Sequence, residues 1–193
     1  GFEKPETVDT VVRSWHHGRY RATHSTRARE ILTTLMPTLL RALATMTDPM
    51  SVFLKFDEFL KGLPAGVQLF SMFQAQPAIL TLVAEIMGKA PRLARHLARR
   101  ASVLDSVLAP DFFDDLLPID DLESELSRQL ARAEYLEDTL NICRRWANDH
   151  RFQVGVQRLQ GLVAPKSASG ALSDIAQTVL DALYPRVVEE FAD

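Results

Sequence analysis

Apolar residues recur at helical spacing along most of the chain. From Pro5 to Trp15, apolar side chains fall at i, i+3, i+4 and i+7, and Gly18 follows as a natural helix end. No segment shows the sustained alternation of apolar and polar residues that a half-buried strand requires. The pattern therefore predicts an all-α fold, either a multi-helix array or a bundle of antiparallel helical hairpins, with no sheet.

Residues 63–100 are predicted to form three helices with a helix-breaking residue at each junction. Proline is favoured in the first turn of a helix and glycine just past the last turn, so these residues mark where one helix stops and the next begins. In chain order, the breaking residues are Pro64, Gly66, Pro77, Gly88 and Pro91.

Further helices are predicted on both sides of this stretch. Ser25 is placed to cap a helix in which Pro37 either introduces a kink or starts a new helix. Towards the other end, residues 135–161 predict one long helix, residues 165–170 a loop, and the remainder a final helix with a kink at Pro185. We expect an N-terminal helical array over residues 1–110 and a long-helix part over residues 111–193 packed on it, unless the whole is one continuous domain.

Composition excludes several classes of protein. A hydrophobic content of 47% with 24% charged residues is typical of a globular protein, and a net charge of −3 is too small to attract nucleic acid by itself.

One cysteine, Cys143, cannot form an intrachain disulfide and is predicted to be buried in a helix. With no apolar run of about 20 residues and no signal peptide pattern, we predict no membrane contact and a cytoplasmic location. We also expect the chain to be a piece of a longer protein.

Residues 15–30 are unusually basic, with four arginines and no acid before Glu30. If Ser25 caps the following helix, Arg27 and Arg29 lie in its first turns, where the helix macrodipole disfavours a cation by about 0.3–1 kcal/mol. Either an acidic neighbour within the fold or an acidic partner or phosphate must then compensate. The adjacent His16 and His17 would point in different directions on a helix, which disfavours a metal site.

A second group of arginines lies on the third helix of the 63–100 stretch, opposite its apolar face. It is either a solvated helix face or a docking surface for an acidic partner or phosphates. The candidate interaction surface consists of Arg19, Arg21, Arg27, Arg29, Arg92, Arg95 and Arg99.

The acidic counterpart is residues 111–125, which contain seven carboxylates and no basic residue. Asp120 or Asp121 is predicted to cap the next helix, and acids in a first turn suit the macrodipole. Paired carboxylates could instead bind a divalent metal or act in acid–base catalysis, but no phosphate-cradling loop accompanies them. Glycine loops for nucleotides, a nucleophile elbow and a cysteine pair for a metal are all missing. We therefore predict no catalytic, cofactor-binding or metal-binding residue in this chain.

Four segments, in order, resemble the bifunctional glutamine synthetase adenylyltransferase/adenylyl-removing enzymes of bacteria. They are WHHGRYRATHSTRARE (15–30), LPAGVQLFSMF (63–73), IMGKAPRLARHLARR (86–100) and RRWANDHRFQVGVQRLQG (144–161). The resemblance implies a parent enzyme with two nucleotidyltransferase modules, one adding AMP from ATP to a tyrosine of glutamine synthetase and one removing it.

In that family, the chemistry depends on a Gly-Ser followed by an Asp-x-Asp pair that holds Mg²⁺ and the triphosphate, and neither motif occurs in this sequence. The resemblance thus implies that this chain is the helical region between the two modules, with ATP and Mg²⁺ bound elsewhere. It further implies that the partners are the flanking modules of the same chain and glutamine synthetase, with glutamine and a PII-type signalling protein as candidate regulators.

Two hypotheses follow. The first is a helical linking and regulatory region of that enzyme. The alternative is a stand-alone helical interaction module that binds an acidic partner, a phosphate ligand or, less favoured by the charge, nucleic acid through its arginines. A free-standing enzyme is disfavoured because the catalytic motifs are missing.

Overall fold

The computed structural model describes residues 1–192, and all regular elements in that range are helical. The predicted all-α fold is therefore confirmed. The α-helices are α1 (Pro5–His16), α2 (Thr26–Ala44), α3 (Pro49–Gly62), α4 (Val67–Ala75), α5 (Pro77–Lys89), α6 (Pro91–Arg99), α7 (Val103–Ser106), α8 (Ile119–Leu130), α9 (Leu136–Leu159) and α10 (Pro165–Phe191), and a 3₁₀ turn spans Arg21–Thr23.

The chain divides into two compact units, one covering Gly1–Asp105 and the other beginning at Ser106. The predicted division at residue 110 and the packing of the second part on the first stay predictions.

In the first unit, α2 packs against α3, α4 and α5, and α6 packs against α3 and α5. Phenylalanines from α3 and α4 fill the space between these helices and are fully buried. The three helices predicted within residues 63–100 are confirmed, but Gly88 does not end α5, which continues to Lys89. Pro91 sets this boundary instead, because its ring disfavours a helical conformation for the residue before it, Ala90. α2 likewise runs through Pro37 to Ala44 as one helix.

The second unit is built from α8, α9 and α10, whose apolar faces meet in one core. The long helix predicted over residues 135–161 is confirmed as α9. The predicted loop at residues 165–170 is wrong, because α10 begins at Pro165 and buries Ala168 and Ala171 in this core. Small residues that look like a loop in sequence here allow close helix packing.

The predicted cap at Asp120 or Asp121 is also wrong. The residue before α8 is Pro118, whose backbone is extended, and the helix already begins at Ile119. Both aspartates therefore lie in the first turn, where they still face the positive end of the helix dipole.

A buried carboxylate on α3 fixes the start of residues 15–30, which we call the basic segment. Asp57 is 4% exposed and accepts hydrogen bonds from the Trp15 indole nitrogen at 2.8 Å and from the Tyr20 hydroxyl at 2.9 Å. Lys61, one turn along α3, forms an ion pair with the other carboxylate oxygen at 2.8 Å. The end of α1 and the chain beyond it are thus tied to the core.

Two glycines allow the chain to turn at this place. Gly18 follows α1 with φ +69°, a conformation that residues with a side chain rarely adopt. Gly66, before α4, approaches the backbone so closely that an added Cβ would overlap the Ala22 carbonyl oxygen and lie 2.6 Å from the Phe70 ring. The 3₁₀ turn and α4 can therefore pack together only when residue 66 has no side chain.

We expect Gly66→Ala to lower the free energy of unfolding by about 1–3 kcal/mol, because the overlapping Ala22 carbonyl belongs to the backbone and cannot rotate away. Gly170→Ala is the matched control: it lies inside α10 with no atom within 4 Å of its Cβ position. Alanine is preferred to glycine within a helix by up to about 1 kcal/mol, so this variant should be unchanged or more stable. Urea unfolding followed by circular dichroism measures both, and equal midpoints for the two variants would contradict the packing argument.

We expect Asp57→Ala to destabilise the first unit by about 2–4 kcal/mol, because each buried donor left without an acceptor costs about 1–3 kcal/mol. Asp57→Asn keeps an oxygen that accepts from Trp15 and Tyr20, so its free energy of unfolding should fall clearly less. The change is measured by urea unfolding with tryptophan fluorescence. If the asparagine variant were as unstable as the alanine variant, the charge of Asp57 rather than its role as an acceptor would be the stabilising feature.

Candidate functional site

The anchoring at Asp57 leaves the first two arginines of the basic segment at the surface. Arg19 and Arg21 flank Tyr20, and both side chains are exposed while the tyrosine ring is held against α3. Burial, more than its hydrogen bond to Asp57, raises the pKa of Tyr20 above its ordinary value. Tyr20 is therefore a neutral phenol that positions its neighbours, and it is not activated as a nucleophile.

Ser25 caps α2 as predicted, its side chain accepting a hydrogen bond from the Ala28 amide at 3.1 Å. Arg27 is exposed and forms an ion pair with Glu30 at 3.4 Å, so an acid within the fold faces this cation. Such an exposed pair contributes little to stability, about 0–1 kcal/mol.

Arg29 is compensated differently. Its guanidinium donates to the carbonyl oxygens of His24 at 2.7 Å and Thr23 at 3.1 Å, and to the Thr26 hydroxyl at 3.2 Å. The two carbonyl oxygens lie at the end of the 3₁₀ turn, so backbone acceptors and a hydroxyl group, rather than an acidic residue, stabilise this cation. Arg29 thereby joins the basic segment to α2, and its charge is less available to a partner than the charges of Arg19, Arg21 and Arg27.

The second arginine group lies along α6. Arg92, Arg95 and Arg99 are exposed, whereas Ala94 and Leu97 on the same helix are buried. α6 packs on α3 and α5, while the 3₁₀ turn of the basic segment packs on α2 and α3. The two groups therefore belong to the same unit but to different helices. Their role as an interaction surface stays a prediction.

The second unit contains a polar group that the sequence analysis missed. The Glu125 carboxylate accepts a hydrogen bond from the Trp146 indole at 3.1 Å and contacts His150 Nε2 at 3.3 Å. The hydrogen bond with His150 is the main cause of a lowered pKa for Glu125. Glu125 is thus held as a carboxylate and is poorly suited to act as a general acid near neutral pH. In the sequence, only the spacing of Trp146 and His150, one helical turn apart, indicated that the two side chains could share a partner.

A cavity of about 400 Å³ beside this group is rich in acids contributed by residues 111–115 and by α9. Gln157 holds the wall of this cavity in place by donating to the carbonyl oxygens of Phe112 at 2.8 Å and Asp114 at 2.9 Å. Nevertheless, within residues 1–192 no three His, Cys, Asp or Glu side chains are arranged to hold a metal ion.

A groove of about 470 Å³ lies between α8 and α10. Arg186 lines this groove, and its guanidinium donates hydrogen bonds to the Thr139 hydroxyl at 2.8 Å and to the Leu130 carbonyl oxygen at 3.5 Å. These contacts connect α10 to the end of α8 and the beginning of α9. Arg186 was not singled out from the sequence, because its partners are far away in the chain.

No single helix among the described residues combines the length and the apolar character needed to cross a membrane. Helices α4 and α5 satisfy those criteria only when taken together, and the chain bends by 111° between them. Both helices contribute buried residues to the core of the first unit.

Comparison with known proteins finds relatives that match the whole chain. The chain is 43% identical over 192 residues to the bifunctional glutamine synthetase adenylyltransferase/adenylyl-removing enzyme of Mesorhizobium japonicum, and the alignment covers 100% of this chain and 20% of that enzyme. The enzymes of the same name from Agrobacterium fabrum and Caulobacter vibrioides are 42% and 34% identical, each over 98% of this chain and 19% of the relative. The chain thus spans about a fifth of the length of these relatives.

The sequence model of the family described as glutamate-ammonia ligase adenylyltransferase matches residues 80–193, more than half of the chain. Two of the four resembling segments lie within this match, and the alignments with the relatives extend over the other two, so the resemblance is confirmed. The chain therefore belongs to the glutamate-ammonia ligase adenylyltransferase family.

Proposed function

We propose that this chain is a helical linking and regulatory region of an enzyme that adds AMP to, and removes AMP from, a tyrosine of glutamine synthetase. One observation carries the proposal: relatives named for both activities match almost the entire chain, yet the chain spans only about a fifth of their length. A bifunctional enzyme needs two active sites and a connection between them, and an all-helical segment suits the connecting role.

The carboxylates of the chain support a non-catalytic role for this region. Transfer of AMP from ATP requires acids that converge on Mg²⁺ and the triphosphate. Here Asp57 is buried with two hydrogen-bond donors and a lysine, Glu125 is paired with Trp146 and His150, and Asp120 lies in a helical first turn. None of these three carboxylates belongs to a site for a Mg²⁺–ATP complex, because no three His, Cys, Asp or Glu side chains within residues 1–192 are arranged to hold a metal ion. We therefore place ATP and Mg²⁺ in other parts of the parent enzyme.

The arginines suggest where the region meets its partners. Arg19, Arg21, Arg92, Arg95 and Arg99 are exposed side chains on one compact unit, and Arg27 is exposed beside Glu30. An exposed arginine presents several donors in a fixed geometry that matches carboxylates and phosphates. We assign this surface to recognition of glutamine synthetase or of a PII-type signalling protein in the cytoplasm, with glutamine as a further signal.

We expect the isolated chain to transfer no AMP to glutamine synthetase. The full-length enzyme containing it should label the synthetase from radiolabelled ATP and Mg²⁺, and the label should be released again by the second activity. Labelling by the purified 193-residue chain alone would place the transfer site within it and contradict the proposal. A full-length enzyme that is folded but has neither activity would contradict the assignment of the parent function.

We also expect calorimetric titration to detect binding of glutamine synthetase or the PII-type protein to the chain. Arg92→Ala/Arg95→Ala/Arg99→Ala should weaken that binding about 10-fold, which corresponds to about 1.4 kcal/mol from three exposed charges. Arg158→Ala, an exposed arginine at the end of α9, is the charge control and should bind like the unchanged protein. Arg29 is left intact in every variant because its loss would disturb the basic segment itself.

Absence of binding to the synthetase, the PII-type protein and glutamine would remove the regulatory role and leave only the linking role. Retention on heparin at low salt, lost in the triple variant, would instead favour the alternative of a stand-alone module that binds phosphates or nucleic acid.

A further inference from the structure

The outer side of α10 carries a row of large apolar side chains that the fold leaves uncovered. Leu180, Tyr184, Val188 and Phe191 follow each other at i, i+4, i+8 and i+11, so they line one face of the helix. Their exposed fractions are 63%, 73%, 47% and 80%. We call these four residues the α10 stripe.

The other side of the same helix packs on α8 and α9. Ala168, Ala171, Ile175 and Thr178 are buried there, and Val179, Ala182 and Leu183 are partly buried against the same core. An isolated amphipathic helix is expected to turn its largest apolar residues towards the core and its polar residues towards water. In α10, one side packs its apolar residues on the core and the stripe lies on the other side, so the helix is apolar on both sides. Such a pattern is typical of a helix packed between two surfaces.

The net charge of the half of α10 that carries the stripe argues against a second copy of this chain as the covering surface. Asp181, Glu189 and Glu190 are exposed on the same half of α10. Arg186 is the only basic residue within residues 179–191, so one positive charge stands against three negative charges and this half of the helix is acidic. Two such helices would bring like charges together, which destabilises an interface.

We infer that the α10 stripe docks onto a part of the same polypeptide outside these 193 residues, at an apolar surface bordered by lysine or arginine. The inference rests on the proposed function, under which this chain is one region of the full-length enzyme. Relatives are about five times as long as the chain, so most of such an enzyme is available to cover α10. A surface within the same polypeptide also has a high effective concentration, which favours docking through a small apolar patch.

Thiol labelling of Tyr184→Cys tests this docking. Tyr184 is 73% exposed, so its replacement removes no core contact. The variant is prepared in the full-length enzyme and in the 193-residue chain, and the rate of modification at residue 184 is read by peptide mass spectrometry. Ser124→Cys, on the exposed side of α8, is the control. Cys143 is an internal reference, because it is buried and burial raises the pKa of its thiol, so it should react slowly in both proteins.

We expect residue 184 to react at least 10-fold more slowly in the full-length enzyme than in the chain, and residue 124 to react at similar rates in both. Adding Val188→Asp should restore fast reaction at residue 184 in the full-length enzyme, because a charge within the stripe opposes burial. Equal rates at residue 184 in the two proteins would overturn the inference, as would protection that persists with Val188→Asp.

Protection that appears in the 193-residue chain as its concentration rises would also overturn it, in favour of a second copy. The labelling rates do not depend on AMP transfer. A protected stripe in an enzyme without activity would therefore count against the proposed function alone, and a reactive stripe in a fully active enzyme would count against the docking alone.

Discussion

The helices of this protein depend on burying their apolar faces against one another. Isolated helices shorter than about 12–15 residues are marginal in water, and α4 and α6 have only nine residues each. They persist because Leu69, Phe70 and Phe73 of α4 and Leu97 of α6 are removed from water by neighbouring helices. The packing is close enough that Gly66 has no room for a single extra carbon atom.

Within that packing, buried polar groups determine which surfaces can serve function. Asp57 takes up the hydrogen bonds of Trp15 and Tyr20, and this fixes the chain that carries Arg19 and Arg21. Arg29, although part of the same basic segment, uses its donors on backbone carbonyls. The candidate surface is therefore smaller than a count of arginines suggests, and its most available members are those without such internal contacts.

In the second unit, the two sides of α10 have different surroundings. The inner side of α10 contributes alanines together with Ile175, Val179 and Leu183 to the core, and its outer side carries the α10 stripe. A helix of this kind is consistent with a region that lies between larger parts of an enzyme.

The sequence by itself determined the fold class, most helices, the Ser25 cap and the family, because periodicity, capping and sequence identity are properties of local or directly comparable residues. It misplaced the start of α8 and of α10, where proline geometry and helix packing outweighed local composition. Only the tertiary structure decided the partners of Asp57, which lie 42 and 37 residues away in the chain, and those of Glu125 and Arg186. Contacts over such distances depend on how whole helices pack, and no local pattern encodes that arrangement.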